Sequence, residues 1–178
     1  NRFSFDITDK LNTEGNLLAV ELDSTERKEI PPFGNVVDYL VYGGIYREVW
    51  IEEVNELHID NAFVRTLNVL HPKKLLDIDV TLSESAKGTL TFTLYDGETK
   101  IGERSTEFSG RVINAKWAVP DVKLWDIDNP NLYTIYIKLN DSDEISVRFG
   151  FRECHFRKDG FYLNGKKIKI RGLNRHQS

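Results

Sequence analysis

The histidines are the side chains of this sequence best suited to proton transfer or metal binding, because imidazole titrates near neutral pH and ligates metals. The four are His58, His71, His155 and His176, which are too scattered to form a local ligand set. His176 differs from the others because it follows a predicted strand over residues 167–172. Residues just beyond the carboxyl end of a strand are where barrel enzymes and open α/β sheets place their sites. His176 is therefore the best candidate, although the residues alone still favour a structural or solvated role for each histidine.

Two acidic pairs could supply carboxylates for acid–base chemistry. Asp77 and Asp79 share one face of a predicted strand, because alternate side chains point the same way. Apolar residues occupy the opposite face, so we interpret this pair as part of a solvated sheet surface. Glu52 and Glu53 are adjacent, so on a strand they would face opposite ways and could not converge on one bond. The sequence also lacks a G-x-S-x-G elbow, a phosphate-binding loop and an H-E-x-x-H pair.

The elements that would position these residues are β-strands. Apolar and polar residues alternate in five runs, at residues 18–22, 76–82, 90–94, 133–139 and 145–149. This period of two is typical of strands with one buried and one wet face. No convincing window of ten or more residues has a helical period. The pattern therefore predicts an all-β fold, a β-sandwich whose two layers share one core.

Turn signals divide the strands. Asp96-Gly97 predicts a hairpin turn, because such dipeptides tolerate positive φ angles. Asp159-Gly160 and Asn164-Gly165 predict a small three-stranded meander over residues 152–170. Residues 125–133, which contain a tryptophan and a proline, are expected to form a packed corner before a strand.

Composition narrows the class of protein. The chain has 178 residues, is 40% hydrophobic and 29% charged, and is thus typical of a globular domain. A net charge of −4 gives no basic excess for binding nucleic acid or membrane lipid. The single cysteine, Cys154, excludes an internal disulfide. Low cysteine usage favours the cytoplasm and does not exclude an exported bacterial protein. Because the sequence has no methionine and opens at Asn1, we expect an internal segment of a longer protein.

The segment FYLNGKKIKIRGLNRHQ, residues 161–177, closely resembles the start of the catalytic barrel in glycoside hydrolase family 2, nearest its β-galactosidase branch. Residues 38–47 resemble the end of that family's sugar-binding jelly roll. Residues 124–133 and 150–152 resemble the end of its immunoglobulin-like linker domain. The order and spacing of these motifs also match, so the resemblance spans essentially the whole chain.

The resemblance implies three pieces. They are the C-terminal part of a sugar-binding jelly-roll domain over residues 1–52, an immunoglobulin-like β-sandwich over residues 53–150, and the N-terminal strands of a (β/α)8 TIM barrel over residues 151–178. The sandwich would act as a rigid spacer between its neighbours.

The resemblance also implies three substrate-binding residues. His176 matches a histidine that lines the sugar pocket and helps to stabilise the transition state. Asp38, six residues before Gly44, matches an aspartate that reaches galactose hydroxyls and a monovalent cation; without the resemblance it would be interpreted as a loop or turn aspartate. Arg175 would help to shape the pocket. Gln177 departs from the family pattern, in which an acidic residue is usual.

The chemistry implied is retaining hydrolysis of terminal β-galactosides. Two glutamates about 5–5.5 Å apart act in such enzymes, one as acid and base and the other as nucleophile. By resemblance both lie downstream of Ser178, together with the main magnesium ligands. This chain is therefore expected to be a non-catalytic fragment of a homo-oligomeric enzyme, with Mg²⁺ and Na⁺ as ions of the full-length protein.

Two alternatives stay open. Within the family, the activity could be that of a β-glucuronidase or a β-mannosidase. In a different class, the chain could be a non-enzymatic β-sandwich module that binds partners through exposed strand edges and surface tyrosines. The sequence beyond Ser178 would separate these classes, since a hydrolase continues with alternating strands and helices.

Overall fold

The computed structural model describes residues 3–25, 27–29, 43–119 and 121–174. The chain divides into two units. One, here called the sandwich unit, is Glu52–Gly172, and the other comprises Asn1–Ile51 with Leu173–Ser178. Within the described residues no helix is long and apolar enough to cross a membrane.

The sandwich unit contains all the strands that the structure describes. They are β1 Ile59–Leu67, β2 Lys74–Asp96, β3 Thr99–Val119, β4 Tyr133–Leu139, β5 Asp143–Phe149, β6 Cys154–Arg157, β7 Gly160–Leu163 and β8 Lys166–Ile168. The first five form one antiparallel sheet in the order β1-β2-β4-β5, with β3 also paired to β2. The last three form a separate antiparallel sheet in the order β6-β7-β8.

One continuous sheet makes both layers because β2 and β3 bend. The first half of β2 pairs with β1 and its second half with β4, while β3 follows it throughout. The pairing shifts between Thr81 and Ala86, opposite Gly110, whose φ of +129° an L side chain rarely adopts. The two halves of β3 face each other across the bend. A Cβ on Gly102, which precedes the bend, would lie 3.1 Å from the ring of Trp117, which follows it. The predicted all-β sandwich is therefore confirmed.

The core lies between these layers and follows the predicted alternation. The completely or almost completely buried side chains include Leu76, Ile78, Val80, Leu82, Leu90, Phe92, Leu94, Tyr133, Ile135, Ile137 and Leu139. Each large apolar side chain buried in this way contributes about 1.5–3 kcal/mol. No polar or charged residue is buried in the described part of the chain. Burial of apolar faces against each other thus accounts for the two layers.

The described residues outside the sandwich unit are largely irregular. Their only regular element is a short 3-10 helix, Thr8–Lys10. The strand predicted over residues 18–22 is wrong: Leu18 is 74% exposed and no ladder partner pairs with it among the described residues. Alternation alone cannot make a strand, because the backbone needs a neighbouring strand for its hydrogen bonds.

Candidate functional site

The three predicted substrate-binding residues, Asp38, Arg175 and His176, lie outside the described residues. Their roles, and the monovalent-cation role of Asp38, stay predictions. The structure does describe the segment that leads to Arg175 and His176. Strand β8 ends at Ile168 instead of continuing to Gly172 as predicted, because no described strand pairs with the residues after it.

The meander formed by β6, β7 and β8 is the last folded element before that segment. Its turn at Asn164-Gly165 has the predicted positive φ angles, +48° and +75°, typical of a type I′ hairpin. The other turn occupies Lys158 and Asp159, one position earlier than predicted. The three-stranded meander itself is confirmed.

One face of the meander is polar and internally paired. The Asp159 carboxylate accepts hydrogen bonds from the Tyr162 hydroxyl at 2.7 Å and the Lys167 ammonium at 3.2 Å. These bonds, that of Tyr162 first, hold the pKa of Asp159 below its usual range, and the same carboxylate raises the pKa of Tyr162. The Arg157 guanidinium lies 4.3 Å from the centre of the Tyr162 ring. The Asp159 carboxylate is thus committed to Tyr162 and Lys167, which does not suit a general acid or base.

The other face of the meander is apolar. Leu163 is buried, and Phe156 and Phe161 place their ring centres 5.1 Å apart. Phe156 is nevertheless 82% exposed.

A corner between β3 and β4 faces the meander. The Asp126 carboxylate accepts hydrogen bonds from the backbone amides of Asn129 at 2.8 Å and Asp128 at 2.9 Å, and the Asn129 bond is the main cause of the lowered pKa of Asp126. Trp125 and Pro130 are bridged as in a short ladder. This is the corner predicted from the sequence. Its hydrogen bonds and the Trp125–Pro130 bridge are all internal, so the corner can act as a rigid surface for the meander.

Trp125 joins the corner to the meander. Its backbone amide donates to the Phe151 carbonyl at 2.9 Å, and its carbonyl accepts from Asn164 Nδ2 at 2.8 Å. Its side chain lies against Gly150, where a Cβ would come within 2.7 Å of the Trp125 Cβ. The Arg152 guanidinium lies 4.5 Å from the centre of the indole ring. These contacts fix both the backbone and the ring of Trp125.

Asn164 completes this junction from the meander side. Its Oδ1 accepts from the Glu153 amide at 3.1 Å, and its own amide donates to the Glu153 carbonyl at 3.0 Å. Sequence reasoning recognised Asn164 only as a turn residue. Its second role could not be found there, because its partner Trp125 is 39 residues away.

The acidic pair on β2 has a structural role on the outer face of the sheet. Arg65 lies 2.9 Å from an Asp77 oxygen and 2.6 Å from an Asp79 oxygen. Asn114 donates to both carboxylates at 2.7 Å. Hydrogen bonds from Asn114 and Arg65 lower the pKa of Asp77, and those from Arg65 and Asn114 lower the pKa of Asp79. Both carboxylates are therefore ionised and committed to neighbours, which does not suit a general acid.

The remaining histidines have local partners. His58 Nδ1 lies 2.7 Å from the Asn55 carbonyl, and its Nε2 lies 3.1 Å from Asp60. His71 donates its amide within a turn, and His155 is exposed beside Glu153 at 3.5 Å. Among the residues that the structure describes, no group of three or more His, Cys, Asp or Glu could hold a metal ion. Glu52 and Glu53 are exposed in an irregular segment and not on a strand.

Comparison with known proteins identifies relatives along nearly the whole chain. The family model described as glycosyl hydrolases family 2 matches residues 57–152. A β-galactosidase from Thermoanaerobacterium thermosulfurigenes is 43% identical over 182 residues, covering 93% of this chain, and one from Rhizobium meliloti is 38% identical over 188 residues, covering 99%. The chain spans about a quarter of the length of these curated relatives, 25% and 24%.

Solved structures share the fold. The crystal structure of a β-glucuronidase from Parabacteroides merdae matches with a TM-score of 0.71 and 25% identity. The match covers 86% of this chain and 21% of that one.

Proposed function

Because this chain belongs to family 2 of the glycosyl hydrolases, we propose that the protein containing it is a retaining β-galactosidase that acts on terminal β-galactosides. This chain is its non-catalytic part. The observation that carries the proposal is the identity to proteins named β-galactosidases along nearly the whole chain.

The chemistry proposed for the whole protein uses two carboxyl groups about 5–5.5 Å apart, one as acid and base and one as nucleophile. Both glutamates are proposed to lie beyond Ser178. Within this chain, Asp38, Arg175 and His176 would bind the sugar. The paired state of Asp77 and Asp79 supports this division, because neither carboxylate is free to act as an acid.

The spacer role proposed for residues 53–150 is supported by two clamps at opposite ends of β1. At the start of β1, the amide of His58 donates to Ser83 Oγ at 3.1 Å. At its end, Thr66 Oγ1 donates to the Arg152 carbonyl at 2.9 Å. Nine strand residues separate these ends by roughly 25 Å. Both bonds lie within the sandwich unit and hold the chain in place at the two ends of β1, as a rigid spacer requires.

Mg²⁺ and Na⁺ belong to the proposal through the family resemblance. A carboxylate such as that of Asp38 suits a hard cation, because such ions take oxygen ligands. None of the described residues forms a metal-binding group, so no step is derived through either ion. Removal of Mg²⁺ with a chelator, and replacement of Na⁺ by choline, would measure their contributions in the full-length protein.

The test is a panel of aryl glycosides with the full-length protein. Asp38→Ala and His176→Ala are each expected to lower kcat/KM for an aryl β-galactoside by about 10²-fold. A substrate displaced by about 1 Å from its reactive position loses rate by a factor of this size. Asp141→Ala is the matched control, since that side chain is 98% exposed and forms a surface ion pair with Lys138. Unchanged turnover in Asp38→Ala would contradict the substrate role.

The second candidate activity is that of a β-glucuronidase. It is favoured by the structural match to a protein of that name, which covers most of this chain. The same panel distinguishes the two, because an aryl β-glucuronide and an aryl β-galactoside differ in charge at one position of the sugar. Preference for the glucuronide would replace the first candidate.

We propose that the partner of the full-length protein is a carbohydrate and that the protein forms a homo-oligomer. We further propose that it binds neither nucleic acid nor membrane. For this chain, the net charge of −4 fits the last part, because it gives no basic excess that phosphate-rich surfaces would attract. Light scattering of the full-length protein measures the oligomer. A monomer at micromolar concentration would contradict it.

A further inference from the structure

Asn164 makes more hydrogen bonds than its place in a hairpin turn requires. Its φ of +48° suits the turn, a conformation that glycine would also adopt. Its side chain in addition donates to the Trp125 carbonyl and accepts from the Glu153 amide. One amide group therefore connects the β7–β8 turn, the start of β6 and the corner of the sandwich.

The partner of this amide is itself held firmly. Trp125 is bonded to Phe151 through its backbone, and Phe151 is fully buried against the rings of Tyr133 and Phe149. The turn is thus tied through Trp125 to the core. A Cβ on the neighbouring Gly165 would meet Leu70 at 3.2 Å, so the turn is also in close contact with the loop after β1.

We propose that Asn164 is a positioning residue, which locks the meander to the sandwich corner at Trp125 and so fixes β8, the last strand before Arg175 and His176 in the sequence. This inference rests on the proposed function, because it assigns Asn164 an effect on sugar binding through those residues. Asn164 itself would not touch the substrate.

The chain offers a matched pair of substitutions. Asn164→Asp keeps the acceptor for the Glu153 amide but removes the donor to the Trp125 carbonyl. Asn140→Asp makes the same chemical change at another turn asparagine, with φ +50°. There the side chain accepts from the Thr89 amide at 2.9 Å, and the substitution keeps that bond. Asn164→Gly keeps the turn conformation and removes both side-chain bonds.

The first readout is hydrogen exchange of the full-length protein, which does not depend on activity. With Asn164→Asp, amides of residues 154–168 are expected to exchange about tenfold faster, because one partly buried hydrogen bond to the corner is lost. Amides of residues 76–82 in β2 should not change. Asn140→Asp should leave the exchange of residues 154–168 at its wild-type rate.

The second readout separates positioning from mere loss of folded protein. A smaller active fraction lowers the apparent kcat and leaves KM unchanged, whereas displaced sugar-binding groups raise KM. We expect KM for an aryl β-galactoside to rise at least fivefold in Asn164→Asp and Asn164→Gly, and to stay unchanged in Asn140→Asp.

Two results would overturn the inference: wild-type exchange of residues 154–168 in Asn164→Asp, or faster exchange with an unchanged KM. Failure of the proposed function looks different. If the wild-type protein does not cleave the galactoside, exchange still reports the lock, and KM is measured on the aryl glycoside that the panel identifies.

Discussion

Replacing Gly150 with alanine is expected to lower the free energy of unfolding of the sandwich unit by about 1–2 kcal/mol. A Cβ at this position would lie 2.7 Å from the Trp125 Cβ and 3.0 Å from its Cγ and Cδ1. Ordinary contacts between such carbons are about 3.5–4 Å, so the indole or the backbone would have to move by almost 1 Å. Trp125 cannot move freely, because its backbone is bonded to Phe151 and Asn164.

The magnitude is the difference between two effects. Overpacking of a well-filled site costs about 1–3 kcal/mol. Alanine also restricts the unfolded chain more than glycine does, which stabilises by about 0.4–1 kcal/mol where the native φ is allowed. The clash is the larger of the two. For a unit of this size the net loss corresponds to a fall in Tm of about 4–8 °C.

Thermal and urea unfolding of the chain, followed by far-UV circular dichroism, would measure the change. Gly172→Ala is the matched control, because a Cβ there meets nothing within 4 Å and its φ is not positive. It should unfold within about 0.5 kcal/mol of wild type or slightly above it. In a double-mutant cycle, Gly150→Ala should cost little once Trp125→Gly has removed the Cβ, Cγ and Cδ1 atoms that the new methyl group would meet. Equal stability of Gly150→Ala and Gly172→Ala would refute the reasoning.

Two further outcomes follow from the same structure. Phe151→Ala should cost about 3–5 kcal/mol in urea unfolding, because a fully buried ring leaves a cavity; a loss below 1 kcal/mol would contradict its place in the core. Arg65→Ala should flatten the acid dependence of stability. Asn114 and Arg65 lower the pKa of Asp77, and Arg65 and Asn114 that of Asp79, so this stabilisation is present above about pH 4 and is lost as pH falls. Urea midpoints between about pH 5 and 2 would show it, and an unchanged slope would exclude a role for Arg65.

Alternation located β4, β5 and two parts of β2, but β1 and β3 were not among the predicted runs. The alternation of residues 133–139 matches the buried side chains of β4 one for one. The first half of β3 lacks such a pattern, since most of its side chains are exposed and its backbone ladder to β2 holds it in place. The runs at 76–82 and 90–94 proved to be two parts of β2, because alternation does not report whether a ladder continues through a bend.

The candidate site divides in the same way. The dipeptide Asn164-Gly165 predicted the turn, because turn preference is a property of adjacent residues. The positive φ angles of both residues confirm it. The contact between Asn164 and Trp125 joins residues 39 apart, and only the path of the chain brings them together.

By itself, then, the sequence determined the β class, the meander and the family resemblance, since each depends on local side-chain order. The tertiary structure decided that β2 and β3 bend into both layers, that Asp77 and Asp79 are held by Arg65, and that Asn164 is tied to Trp125. These features depend on distances between segments remote in sequence, which alternation and turn preference do not specify.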